Sequence, residues 1–150
     1  MAIELSTAGI KVKWAVATDN TRPTTGFKAI RGVKSIPEFN PEPSQLEVTD
    51  LADLEYKRYI PGLKDPGGAQ GLTVNDFADF REDWTEMLTA FNGADGKALW
   101  IEYAIPNHDS YFYEGIPSEL GFNGADVDSV LENVAYLTPN SKPVWAEASN

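Results

Sequence analysis

The sequence predicts a mainly β fold with one α-helix: an antiparallel β-sandwich or barrel, with the helix packed on one side and a long extended loop. Three observations lead there. Short runs that alternate apolar and polar residues recur along the chain, bounded by Gly, Pro and Asn. One segment alone, around Phe77 to Phe91, repeats its apolar residues at helical spacing. A tally of about seven to nine strands and one helix fits a sheet architecture carrying a helix on one face.

The elements follow in order. Ile10-Lys-Val-Lys-Trp-Ala-Val16 has the period of a half-buried strand. Asp19 to Gly26 is a polar loop, and Gly26 to Phe39 reads as two short strands broken at Arg31-Gly32, with Pro37 at the end or edge of the second. Leu72-Thr73-Val-Asn-Asp76 opens the helix. Thr73 and Asp76 have capping-box spacing, and Leu72 and Phe77 take staple positions. Phe77, Phe80, Trp84, Met87, Leu88 and Phe91 form the apolar stripe, and Asn92-Gly93 ends it. Lys97 to Ile105 is a strand rich in aromatic and β-branched residues, and Ser110 to Ile116 pairs with it across the turn at Pro106–Asp109. Asn123-Gly124 is a further turn, Val127 to Leu137 the last strand, and Pro139 begins a tail.

Between these elements lies a stretch that fits no compact element, residues 40–68. Loops longer than about 12–15 residues are uncommon inside compact domains. This one, with Phe39 at its entrance, holds Leu46, Val48, Leu51, Leu54, Tyr56, Tyr59, Ile60 and Leu63, too apolar for a disordered linker. An arm that cannot bury itself in its own domain can bury itself in a neighbour. Trp145, in the Pro-bounded tail, either folds back on its own domain or docks on another copy.

The 150 residues fit a single domain, 1–150, with a core-forming 42% hydrophobic content. No membrane insertion is expected, for no run approaches the ~18 apolar residues of a span. No secretion signal is read at the N-terminus. There is no cysteine, which removes disulfides and thiolate chemistry and suits a reducing cytosol. The formal charge is −11 and uneven: six basic residues against Glu4 and Asp19 give residues 1–37 a net +4, and the rest carries −15. The charge serves solubility, or basic and acidic faces meet between copies. A duplex-gripping protein is not expected at this charge.

No catalytic constellation emerges, so no enzyme and no cofactor are expected. His108, the sole histidine, lies beside Asp109 and Ser110 in one turn, and three adjacent turn residues do not converge as a triad. Asp126-Val-Asp128 starts like a calcium loop but has Leu131 where position 6 needs Gly and Leu137 where position 12 needs Glu. Trp14, Trp100, Tyr103, Tyr111, Phe112 and Tyr113 could line a sugar-binding face, although strand alternation sends half of them to the core. Glu102 and Glu114 lie on facing strands of the proposed hairpin.

Several motifs in this order carry a resemblance: Gly32-Val-Lys-Ser-Ile-Pro-Glu-Phe39, Glu47-Val-Thr-Asp-Leu51, Tyr59-Ile-Pro-Gly-Leu-Lys-Asp65, one acidic helix, and Trp100-Ile-Glu-Tyr103. From roughly Ile10 to Trp145 the chain resembles the major tail (tail tube) proteins of long-tailed, non-contractile bacteriophages. The resemblance implies hexameric rings stacked into a hollow tube in the virion tail, assembled in the host cytoplasm. It implies a tape-measure protein, a tail terminator and tail-tip proteins as partners, and DNA passing without specific binding. It assigns stacking to the loop 40–68, and contacts between neighbours also to the N-terminal arm 1–9 and the tail 139–150. Glu102 and Glu114 are the expected lumen-facing acids. Two rivals remain, a monomeric β-sandwich module binding carbohydrate or peptide, and the tube protein of a contractile injection machine.

Overall fold

A computed structural model of the chain describes residues 8–19, 21–40, 44–62 and 68–149. Among them are ten strands and one helix: β1 (Lys11–Val16), β2 (Lys28–Ile30), β3 (Val33–Ser35), β4 (Gln45–Glu47), β5 (Tyr59–Pro61), β6 (Gln70–Asn75), α1 (Ala78–Asn92), β7 (Leu99–Ala104), β8 (Ser110–Pro117), β9 (Glu132–Pro139) and β10 (Val144–Ala146). The mainly β class with one helix is the one the sequence predicts.

Eight strands form one curled antiparallel sheet in the order β2-β1-β7-β8-β9-β6-β3, with β10 added to β8. Strand β8 is shared by both halves. Its first part pairs β7, Trp100 opposite Glu114 and Tyr103 opposite Tyr111, and its last residues pair β9, Gly115 opposite Pro139. Gly115 sits where the strand changes partners. A Cβ there would come within 3.0 Å of Ile101, so the close approach requires glycine.

The period-two pattern decides what the curl encloses. Val12 and Trp14 of β1, Leu72 and Val74 of β6, Leu99 and Ile101 of β7, and Ala135 and Leu137 of β9 all point inward and are buried. The helix closes the open side with Phe80, Trp84 and Met87, each fully buried. Burial on this scale stabilises by about 1.5–3 kcal/mol per large side chain. Trp84 also donates from Nε1 to the Ser118 carbonyl at 3.0 Å, tying the helix to the segment after β8. A second, smaller cluster, Ala17, Trp100 and Phe112, lies on the outer face of β1, β7 and β8.

Arg31 locks the helix from the side. Its backbone N–H and its Nε both donate to one carboxylate oxygen of Asp83 at 2.9 Å, and its Nη2 donates to the other at 3.0 Å. The guanidinium hydrogen bond holds the Asp83 carboxyl below the usual carboxylate range.

Two expectations change. The helix does not open at Thr73. Residues 72–75 remain in β6, because Leu72 and Val74 alternate inward opposite Ala135 and Asn133. The helix begins at Ala78 behind Phe77, without a side-chain cap. The Asp76 carboxylate, expected in a capping box, instead accepts both Nε and Nη2 of Arg81 at 2.6 Å. Phe77 drops off the stripe and is exposed, and Leu88 is only half-buried. The last strand starts at Glu132 rather than Val127. Strand β6 offers partners only as far as Asn75, opposite Glu132, and the Ser129 amide and hydroxyl turn back onto the Asp126 carbonyl.

Candidate assembly surfaces

The apolar loop is a hairpin that stands off the body. Leu46 lies opposite Ile60, flanked by Gln45 with Pro61 and Glu47 with Tyr59, in a two-stranded sheet that makes no pairing to the main one. Beyond it the chain is held by Arg58, whose Nε donates to Asp53 at 2.8 Å and Nη2 to Asp50 at 3.3 Å. The Arg58 amide donates to Thr49 Oγ1, and the Val48 amide to the Arg58 carbonyl. The fork fixes the tip so that its apolar residues point outward. Leu51, Leu54 and Tyr56 are 101%, 90% and 81% exposed. Leu46, Val48, Tyr59 and Ile60 are exposed as well. A lone two-stranded hairpin is marginal in water, and a contiguous apolar surface of this kind marks an interaction site.

Phe39 does not belong with the hairpin. Its ring packs at 5.0 Å from Tyr113 and 5.5 Å from Tyr111, at the edge of the main core. Leu63 lies outside the described residues, as do residues 1–7 of the N-terminal arm.

Trp145 folds back on its own domain as part of β10, opposite Tyr111. Its ring lies 4.9 Å from that of Tyr111 and 5.6 Å from that of His108, yet 57% of the residue stays exposed.

Glu102 is fully buried on the outer face of β7, where its carboxylate accepts the Ser149 amide at 3.1 Å and the Ser149 hydroxyl at 2.5 Å. The tail covers this face of β7 through Ser149. Glu114, on the same side, is half-buried.

One surface was missed by sequence reasoning. Gly121 to Leu131 is exposed throughout, with Phe122 at 76% and Val127 at 100%. The signal was present in Asp126, Asp128 and Ser129, turn residues that interrupt the supposed strand.

Half of the basic residues of the first 37 are paired within the chain: Lys28 with Glu86, Arg31 with Asp83 and Asp79, and Lys34 with Glu132. The aromatic platform does not exist as an open face, since Trp14, Trp100, Tyr103, Phe112 and Tyr113 are all buried. Tyr103 and Tyr113 share a 2.8 Å hydroxyl contact, and burial pushes the Tyr103 phenol up to about 12. His108 Nδ1 lies 2.9 Å from the Asp109 backbone carbonyl, and Ser110 Oγ is buried without a partner, so the three side chains form no relay. Among the described residues no group of three or more His, Cys, Asp or Glu side chains could hold a metal, and no helix is long and apolar enough to cross a membrane.

No protein-family model and no curated protein sequence matches the chain. Solved structures do share the fold over nearly its whole length. A chain of the anti-feeding prophage baseplate, in a six-fold symmetrised cryo-EM structure, superposes with a TM-score of 0.68 at 11% identity, covering 98% of both chains. A chain in the tail of an empty gene transfer agent particle, helically refined with C6 symmetry, gives 0.61 at 12% identity over 95% of this chain and 99% of that one. A chain at the sheath/tube terminator of the extracellular contractile injection system PVC gives 0.59 at 14% identity over 96% and 99%.

Proposed function

We propose that this chain is a structural subunit of a phage-type tail tube, which assembles as hexameric rings stacked around a lumen. The hairpin carries the reading: a domain with a complete core of its own holds Leu51, Leu54 and Tyr56 out into solvent on a fixed tip. The fold likeness to chains of six-fold symmetric tail and baseplate assemblies supports it. Loop 40–68 makes the contacts between rings. The N-terminal arm 1–9 and the tail 139–150 with Trp145 contribute contacts between neighbours within the single domain's ring. The tape-measure, terminator and tip proteins are the other partners, in a virion tail assembled in the host cytoplasm. No cofactor and no catalytic step are involved. DNA passes without specific binding, since a net charge of −11 repels phosphates. Glu114 is the remaining candidate for an acidic lumen wall.

A second reading has its own support. The likeness to the sheath/tube terminator of a contractile injection system favours a ring at the end of a tube, or a tube inside a contractile sheath. Negative-stain images of the purified protein at rising concentration separate a tube subunit, sheathed or not, from a terminator ring. Tubes that lengthen with concentration support the tube subunit. Closed six-fold rings that never stack support the terminator, and monomers alone refute both.

A further inference from the structure

We infer that the cavity between β3, the β7–β8 turn and Trp145 receives the β4–β5 tip of a second copy of this chain. The inference rests on the ring-and-tube reading and names the receptor for its arm. The cavity measures about 460 Å³ and is walled by Ile36, Phe39, Ile105, Tyr111 and Trp145, with Lys34 and Ser35 along one side. Sites of ~300–1,000 Å³ bury drug-sized ligands, so this one has room for more than one side chain. Trp145 forms part of the wall beside Tyr111 and stays about half exposed.

The tip is complementary in chemistry. Leu51 and Leu54 are almost fully exposed in their own chain and supply apolar groups for the Ile36, Phe39 and Ile105 side of the cavity. Residues 50–56 carry Asp50, Asp53 and Glu55 and no base. Lys34 is the cation on the cavity side; it pairs with Glu132 at 2.7 Å, and its half-exposed ammonium keeps further N–H donors for a second carboxylate. Asp50 and Asp53 are held by Arg58, so among the described residues Glu55 is the tip carboxylate available to a neighbour. The three paired positions of β4 and β5 carry the tip roughly 10 Å from their root at the rise of a strand. Tip and cavity are different surfaces of one chain. Their union is heterologous and propagates from copy to copy, whereas a two-fold contact closes at a dimer.

The chain has no cysteine, so introduced pairs report cleanly. The test mixes Leu54→Cys protein with Ser35→Cys protein under mild oxidation and reads disulfide-linked dimers that neither variant gives alone. Ser35 is exposed and nearly isosteric with Cys. Adding Glu55→Lys to the tip variant lowers the yield by about tenfold, because an attractive charge across the contact becomes repulsive. Phe122→Cys mixed with Ser35→Cys is the control. An equal or better yield from the control, or no mixed dimer with Leu54→Cys, overturns the docking. Rings or tubes seen by microscopy without the mixed disulfide overturn the docking alone. The disulfide without rings or tubes supports the docking and overturns the proposed function.

Discussion

Replacing Trp84 with Ala removes the side chain that joins the helix to the sheet. Trp84 is fully buried, its ring centroid lies 5.9 Å from that of Phe80, and its Nε1 donates to Ser118 at 3.0 Å. Large aromatic-to-Ala changes in cores cost about 3–5 kcal/mol from lost transfer and the cavity left behind. The Ser118 carbonyl loses its donor as well, for a further ~1 kcal/mol. The total is about 4–6 kcal/mol, most of the margin of an ordinary domain. Urea unfolding followed by tryptophan fluorescence measures it, with Leu88→Ala as a half-buried comparison on the same helix. At a slope of ~2–4 °C per kcal/mol for this size, the midpoint of thermal unfolding falls by about 8–24 °C. A loss below ~1 kcal/mol, the level of an ordinary surface change, would show that the Phe80–Trp84–Met87 stripe is not the seam between helix and sheet.

Gly32→Ala should destabilise by more than ~1 kcal/mol, because Gly32 has φ +89° and a Cβ would stand 2.6 Å from the Phe77 ring; thermal melts check it. The hydrogen bonds from Arg81 and Arg31 lower the folded-state values of Asp76 and Asp83. A lowered carboxylate stabilises the fold above the unfolded value near ~3.9, and the benefit is lost as pH falls below that toward the folded values. Asp76→Asn and Asp83→Asn should therefore cost ~1–3 kcal/mol at pH 7 and flatten the acid limb of the stability–pH curve; an unchanged limb would refute the assignment. Leu51→Ser with Leu54→Ser should leave stability within ~0.5 kcal/mol and abolish stacking, as read by unfolding and by particle size. A cooperative fold lost in that variant would make the tip part of the core.

Legibility followed the range of the interaction. Strands β1, β7 and β8 and the helix stop at Gly93 were readable because alternation and turn residues are local signals. The helix start was not, because Thr73 serves both a strand and a capping pattern and the pairing with β9 decides between them. The outward apolar loop was legible as a surplus of apolar residues. Its hairpin depends on Arg58 reaching Asp50 and Asp53, which no periodicity reveals. Phe39 stands at the entrance of the apolar loop in sequence, but its contacts with Tyr111 and Tyr113 are long-range. Glu102 shows a further limit. Alternation gives the face of a strand, and what covers that face, here Ser149, comes from 47 residues away.

The most direct measurement is particle mass and shape, by light scattering and negative-stain microscopy on the same purified sample across a concentration series. The account predicts six-fold rings that stack into tubes, with stacking lost in the Leu51→Ser, Leu54→Ser variant while that variant stays folded. A 16.5 kDa monomer at every concentration, indistinguishable from the variant, would contradict it.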